Sequence, residues 1–439
     1  MKHIRRTFGL LLIIFASFVL VFQPAAAQNE DPLAIVLTAE GPIMPPMREY
    51  IQRGIQTAER DNAELLIIEL NTPGGSVATM LEIIEAMGNS RVPVVVYVSP
   101  RDAQAASAGA LITMAGDASA MAPRTVIGAA SPIGGSGEDL GSDARAKAVN
   151  DLKAVARGLV ERRGADVVAL AEAMIEEAVA VTATEALEIG LIDFIADDTE
   201  GLLQLLDGMQ VDVRGETRTL NTENIRVRPL EMSFIEGILL LLTNPNIAFL
   251  LLAIGVQAIL IELSSPGGWF AGFLGAVLLT LAIYGLGVLP INWFGLIFMA
   301  IAFVLFVLEF NTPTYGALTA AGAASFIVGA LVLFNSPGTP EFQRVSVPLV
   351  VGVGVFFGLI SFAVIMFAVR AFRSPVRIGQ ESMLGQTGTA VLFKRGAGQV
   401  QVGSELWSAE KAADSENIRK GDSVEVVEVR GLRLVVRKK

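Results

Sequence analysis

The sequence contains no cysteine and a single histidine, His3. Without cysteine there is no disulfide, no thiol nucleophile, no palmitoyl anchor and no cysteine-ligated metal. His3 lies in a segment laid out like an export signal. Lys2, Arg5 and Arg6 form a basic start, Phe8 to Phe22 an apolar run, and Ala25-Ala26-Ala27 a small-residue cleavage site. Cleavage after Ala27 leaves a mature chain with no imidazole, which excludes a Ser-His-Asp triad and histidine-bound zinc. No metal and no cofactor is expected. Basic charge is also scarce: 33 Lys and Arg stand against 44 Asp and Glu, a net charge of −11. A nucleic-acid partner, which needs a concentrated basic face, is not expected. Lysine and arginine are missing altogether between Arg228 and Arg344.

What fills that gap is hydrocarbon. The 439 residues are 52% hydrophobic, enough chain for two or three domains and too apolar for an ordinary soluble one. The excess sits at the N-terminus and between Phe234 and Phe372. Spans are expected near 245–263, 268–288, 290–309, 316–335 and 347–372, each close to the ~20 residues that a bilayer crossing needs. Phe234 to Leu242 is too short to cross and is placed at the interface. An odd number of spans leading from an exported domain puts the C-terminus inside, and Arg370, Arg373 and Arg377 agree with the positive-inside rule.

The expected order is a signal peptide (1–27), an α/β domain (28–210), a polar linker (211–233), a multi-pass membrane domain (234–373) and a small all-β barrel (379–439). In the first folded domain, apolar β-branched runs such as Leu65 to Leu70 and Val92 to Val98 alternate with helical stretches, the signature of a largely parallel sheet. In the last, glycine-punctuated short strands indicate an OB-fold-like barrel.

Three features of the exported domain carry chemistry. Asn71-Thr72-Pro73-Gly74-Gly75 follows a buried strand and precedes a helix, so its glycines let backbone and ligand approach closely. Taken alone, it is also a common turn. Ala105-Ala106-Ser107-Ala108-Gly109 frames a serine with small residues, leaving its hydroxyl unobstructed and the Ala108 amide beside it. A helix-capping serine would look the same. The third feature is the missing imidazole, for which lysine is the known substitute base. A lysine pKa of ~10.4 must come down to near 7, a difference of roughly 4 kcal/mol, and burial is the usual means. Lys147 and Lys153 are the only lysines of this domain. An arbitrary lysine is most often solvated.

In order and spacing these elements, with Glu185-Ala186-Leu187-Glu188-Ile189-Gly190-Leu191-Ile192-Asp193, resemble the ClpP, signal-peptide-peptidase A and NfeD proteases. Asn244-Pro245-Asn246-Ile247-Ala248, Ile261-Glu262 and Pro266-Gly267 resemble the NfeD membrane segment. The resemblance spans essentially the whole mature chain and implies a ClpP/crotonase-like α/β fold and a serine endopeptidase with a Ser/Lys dyad. By that resemblance Ser107 is the nucleophile and Lys147 the base, with Lys153 the alternative. Gly75, supported by Gly74, and the Ala108 amide form the oxyanion hole. Asp193 is structural, and Ser76, Ser131 and Ser136 are turn residues. The implied partners are an apolar peptide substrate, a stomatin- or flotillin-like membrane protein, the lipid bilayer and further copies of the chain. The competing readings are a non-proteolytic membrane-organising scaffold and a transporter. The latter is disfavoured by the near absence of charge within the spans.

Overall fold

The computed structural model describes residues 32–134, 141–264, 268–312, 314, 316–337, 339–373 and 382–439. The expected signal peptide (1–27) and residues 135–140, Ser136 among them, lie outside them.

The N-terminal domain runs β1 (Leu33–Glu40), α1 (Pro45–Arg60), β2 (Leu65–Asn71), α2 (Val77–Gly88), β3 (Val94–Val98), β4 (Gln104–Ala106) and α3 (Ala108–Met114). It continues with β5 (Ala118–Met121), β6 (Val126–Gly128), α4 (Ser142–Val160), α5 (Ala165–Glu176), β7 (Ala180–Thr182), α6 (Ala183–Ile189), β8 (Phe194–Ile195) and α7 (Thr199–Leu206). β9 (Gln210–Val213), β10 (Glu216–Thr219) and β11 (Arg226–Pro229) complete it. Six strands form one parallel sheet in the order β11-β1-β2-β3-β5-β8. Central strands of such a sheet are covered on both faces and so read as unbroken apolar runs. β3 (Val94-Val95-Val96-Tyr97-Val98) is buried at every position. One face packs Leu37, Ile68 and Val96 against α1 to α5. The other packs Val36, Ile67 and Val95 against Leu202, Leu203 and Leu206 of α7. A second small sheet, β4-β6-β7, lies beyond the carboxyl end of β3.

The segment 211–233, expected as a polar linker, is folded. β9 and β10 make a hairpin with Val211 and Val213 buried, and β11 pairs in parallel with β1 at the sheet edge. The arginines that disguise β11 in the sequence suit an edge strand, where charge discourages further pairing. α8 (Phe234–Leu242) follows, opened by a Ser233/Glu236 capping box. Glu236 also accepts two hydrogen bonds from Arg53 of α1, at 2.8 and 2.7 Å, which ties this helix to the N-terminal domain.

The membrane region contains α9 (Pro245–Ser264), α10 (Phe270–Val288), α11 (Phe294–Asn311), α12 (Ala317–Phe334) and α13 (Val347–Arg373). Among the described residues four helices are long and apolar enough to cross a bilayer. A fifth, within α11, is apolar over the shorter stretch Phe294–Glu309. Each of two helix connections is held by a carboxylate from the preceding helix. Glu262 accepts the Trp269 and Gly272 amides, and Glu309 accepts the amides of Thr314, Gly316 and Thr319 and the Thr314 hydroxyl. A negative charge at the N-terminus of α10 or α12 satisfies amides that have no intrahelical acceptor.

At the C-terminus, β12 (Thr387–Lys394), β13 (Ala397–Val402), β14 (Glu405–Lys411), β15 (Ser423–Arg430) and β16 (Arg433–Lys438) close a barrel in the order β12-β13-β14-β16-β15. Its own small core includes Val400, Val424, Leu434 and Val436.

Candidate active site

Parallel strands direct the loops at their carboxyl ends to one edge, the usual place for a site in an α/β fold. The loop after β2 and the turn before α3 meet there. Thr72 bridges Ala105, its N–H donating to Gln104 O at 2.7 Å and its carbonyl accepting from Ala106 N at 3.0 Å. On the other side Gly75 bridges Ile43, through Ile43 N to Gly74 O (2.8 Å) and Ser76 N to Ile43 O (2.8 Å). The glycine loop is thereby held between two backbone pairings.

Ser107 sits at the junction of β4 and α3 with φ 54° and ψ −116°. This is a left-handed conformation that a side chain makes costly, and such strain gathers at functional positions. Its N–H is anchored to Gly128 O at 2.8 Å, while its hydroxyl has no hydrogen-bond partner among the described residues. The serine is therefore held by its backbone and left free at Oγ, as in the sharp strand-to-helix turns that present nucleophilic serines.

Both glycines of the loop are required by close approach. A Cβ on Gly74 would lie 2.6 Å from Ser107 Cβ, and one on Gly75 would lie 2.1 Å from Ile43 O. Their amides differ. The Gly75 N–H has no acceptor among the described residues. The Gly74 N–H, expected to support the oxyanion hole, donates instead to Thr72 Oγ1 at 3.1 Å. Gly74 contributes room rather than a donor. Ala108 opens α3, where an amide has no intrahelical acceptor. Beside Ser107 and Ala108 lies an apolar cavity of about 40 Å³ whose walls include Val77, Met80, Leu111, Ile133 and Leu152.

The two lysines are not brought to this cavity. Lys147 lies near the start of α4 and is exposed, contrary to the expectation of an interior base. The buried stripe of α4 is Val149, Leu152, Ala156 and Val160, and Lys147 is off that stripe. Lys153 is ion-paired to Glu176 (2.6 Å) and Glu172 (3.1 Å). Hydrogen bonding to those carboxylates raises its pKa above the ordinary lysine value, the opposite of what a general base needs.

The remaining residues fall into structural roles. Asp193 receives both Arg163 guanidinium nitrogens at 2.9 Å and the Ser119 amide at 2.8 Å. Ser76 caps α2, and the Ser131 hydroxyl donates to Ile175 O at 2.8 Å. Thr72, which orders the glycine loop and is fully buried, was not singled out in the sequence. The available signal was a threonine within a turn, a type that hydrogen-bonds its own backbone.

Three family profiles cover the chain in order: the NfeD1b N-terminal domain (residues 36–216), the NfeD integral membrane domain (246–367) and the NfeD-like C-terminal, partner-binding domain (380–438). Over 436 residues the sequence is 36% identical to a membrane-bound protease of Pyrococcus horikoshii, covering 97% of each chain. The chain belongs to the NfeD family. Among solved structures, this NfeD chain is similar to the 1510-N membrane-bound stomatin-specific protease from the same organism. A Lys→Ala variant of that protease in complex with a substrate peptide is 34% identical, with a TM-score of 0.45, covering 48% of this chain and 98% of that one. A Ser→Ala variant is 37% identical, with a TM-score of 0.44, covering 46% and 99%. The fold class of this NfeD chain is the one expected: a ClpP/crotonase-like α/β domain, a multi-pass helical membrane domain and a small closed barrel. It is an integral membrane protein.

Proposed function

We propose that the chain is a membrane-anchored serine endopeptidase that cleaves apolar segments of stomatin-like membrane proteins with Ser107 as nucleophile and Lys147 as base. One observation carries the reading. A free hydroxyl on a strained turn stands beside an apolar cavity, with the unpartnered Gly75 amide in the loop packed against it. Peptide hydrolysis at such a site proceeds in two stages. Ser107 Oγ attacks the scissile carbonyl carbon while its proton passes to neutral Lys147 Nζ. The oxyanion accepts hydrogen bonds from the Gly75 and Ala108 amides, each worth ~10²–10³ in rate at comparable sites. The C–N bond then breaks as the leaving amine takes the proton from Lys147. A water, deprotonated in turn by Lys147, attacks the acyl carbon, and Lys147 returns that proton to Ser107 Oγ as the ester C–O bond breaks.

For Lys147 to act, the first turns of α4 must carry it out of solvent and over the Ser107 cavity, which Leu152 of the same helix already lines. Substrate binding is the natural trigger, since an apolar peptide beside the amine supplies the desolvation that lowers its pKa. The Pyrococcus protease supports this assignment, because both a serine and a lysine variant of it have been studied structurally, the latter with its peptide. By the same likeness the barrel binds a stomatin-like partner; self-association of the chain is an expectation of the family resemblance. The peptidase domain lies outside the cytoplasmic membrane and the barrel inside.

The exposed Lys147 is the one observation that favours the scaffold reading. Hydrolysis of an apolar peptide by the full chain in lipid decides between them. Ser107→Ala is expected to abolish turnover, Lys147→Ala to reduce it at least ~10²-fold, and Lys153→Ala to leave most of it. No hydrolysis by the unaltered chain would refute the peptidase, and full activity in Ser107→Ala would remove that serine as its nucleophile. Full activity in Lys147→Ala would remove that lysine from the mechanism.

A further inference from the structure

Against the outer side of the glycine loop lies a larger cavity, about 360 Å³. Pro42 and Pro73 form one wall. Gly237 and Leu240 of α8 and Phe342 and Gln343 of the turn before α13 form the other. The peptidase domain alone supplies only the proline wall. Pro73 is bonded to Gly74, whose Cα stands against Ser107, so the cavity begins within a residue or two of the reacting hydroxyl.

Its lining specifies the occupant. Pro42, Pro73, Leu240 and Phe342 suit an aliphatic or aromatic side chain. Gln343 is only 7% exposed as a residue, and its carboxamide, still in contact with solvent, has no hydrogen-bond partner among the described residues. A carboxamide offers one acceptor and two donors, the complement of a peptide C=O and N–H. A lipid acyl chain would fill the apolar space and leave that group unpaired, which is costly.

We infer that this cavity is a second substrate subsite, completed only when the peptidase domain is joined to its membrane domain, which binds an apolar side chain of the substrate and the peptide group beside it. The inference rests on the peptidase reading above. An extended peptide advances ~3.4 Å per residue, so a substrate held at Ser107 reaches the cavity a few residues from the scissile bond. The full chain therefore selects substrates that remain apolar beyond the immediate cleavage position.

Gly237 makes the test possible. A Cβ there meets nothing within 4 Å, so Gly237→Leu adds bulk at the cavity wall with room at the branch from the backbone, and leucine is the better helix former. Binding is measured with the full chain in lipid nanodiscs on a Ser107→Ala background, using a fluorescent twelve-residue apolar peptide and a four-residue peptide spanning the cleavage position alone. Gly237→Leu is expected to lower the ratio of long- to short-peptide affinity about tenfold or more. Gln343→Leu is expected to lower it several-fold while keeping the cavity apolar. An unchanged ratio in Gly237→Leu overturns the subsite, as does equal loss for both peptides. So does release of a bound photoreactive phospholipid by Gly237→Leu while peptide affinity stays the same. If the chain with Ser107 intact fails to cleave a long peptide that is still bound in a Gly237-dependent way, the peptidase reading falls and the subsite stands.

Discussion

Ser107 shows how much of the chemistry is set by one backbone position. Its φ of 54° is sterically expensive for any residue but glycine, and the anchor to Gly128 O holds it there. Such strain costs ~1–3 kcal/mol, whereas a glycine adds ~0.5–1 kcal/mol of unfolded-chain entropy. Ser107→Gly is therefore expected to raise the melting temperature of the peptidase domain by a few degrees while abolishing hydrolysis. A lower melting temperature would show that the turn is unstrained. A second residue contributes to pH dependence. Asp117 accepts the Val94 amide at 2.8 Å, and burial pushes its pKa up from 3.8 to about 6. The fold thus favours the protonated acid. That contribution is fully present below about pH 4 and is lost as pH rises through about 6. Asp117→Asn is expected to flatten stability between pH 4 and 6 and to add on the order of 2 kcal/mol at pH 7.5, read by denaturant titration across that range.

At the scale of elements, pattern and periodicity carried most of the fold. β2 and β3 are legible because a strand buried on both faces has no room for polarity. The membrane helices are legible because hydrocarbon tolerates little else. β11 was not: its Arg226-Val227-Arg228-Pro229 reads as linker, and only the availability of the β1 edge makes it a strand. The helix connections show a related device. Glu309 is fully buried, and its role as a staple could not be read from its place at a span end. Removing its four hydrogen bonds with Glu309→Ala is expected to destabilise the α11–α12 connection by roughly 2–4 kcal/mol. The membrane domain should then denature at a lower detergent fraction or temperature, with the peptidase transition unmoved. Simultaneous loss of both transitions would make the staple global rather than local.

At the scale of the whole molecule, the chain carries a peptidase domain, a membrane domain and a barrel in series along the sequence. The lack of native cysteine turns orientation into a direct measurement. Glu216→Cys, on the exposed strand β10, is expected to react with an impermeant maleimide in intact cells. Lys420→Cys, exposed in the barrel domain, is expected to react only after permeabilisation. Labelling of both in intact cells would place the barrel outside.

Composition and local order by themselves marked this chain as one that spans a membrane, carries no cysteine and a single histidine, and offers Ser107 among small residues next to a glycine loop. Those properties follow from short-range periodicity, hydropathy and residue type. The tertiary structure alone decided which amide is free, where each lysine lies and what surrounds it. Gly74 lost its donor to Thr72, Lys153 was claimed by Glu172 and Glu176, and Lys147 stayed in solvent. Hydrogen-bond partners and desolvation depend on groups brought together from distant parts of the chain, and no local pattern encodes them.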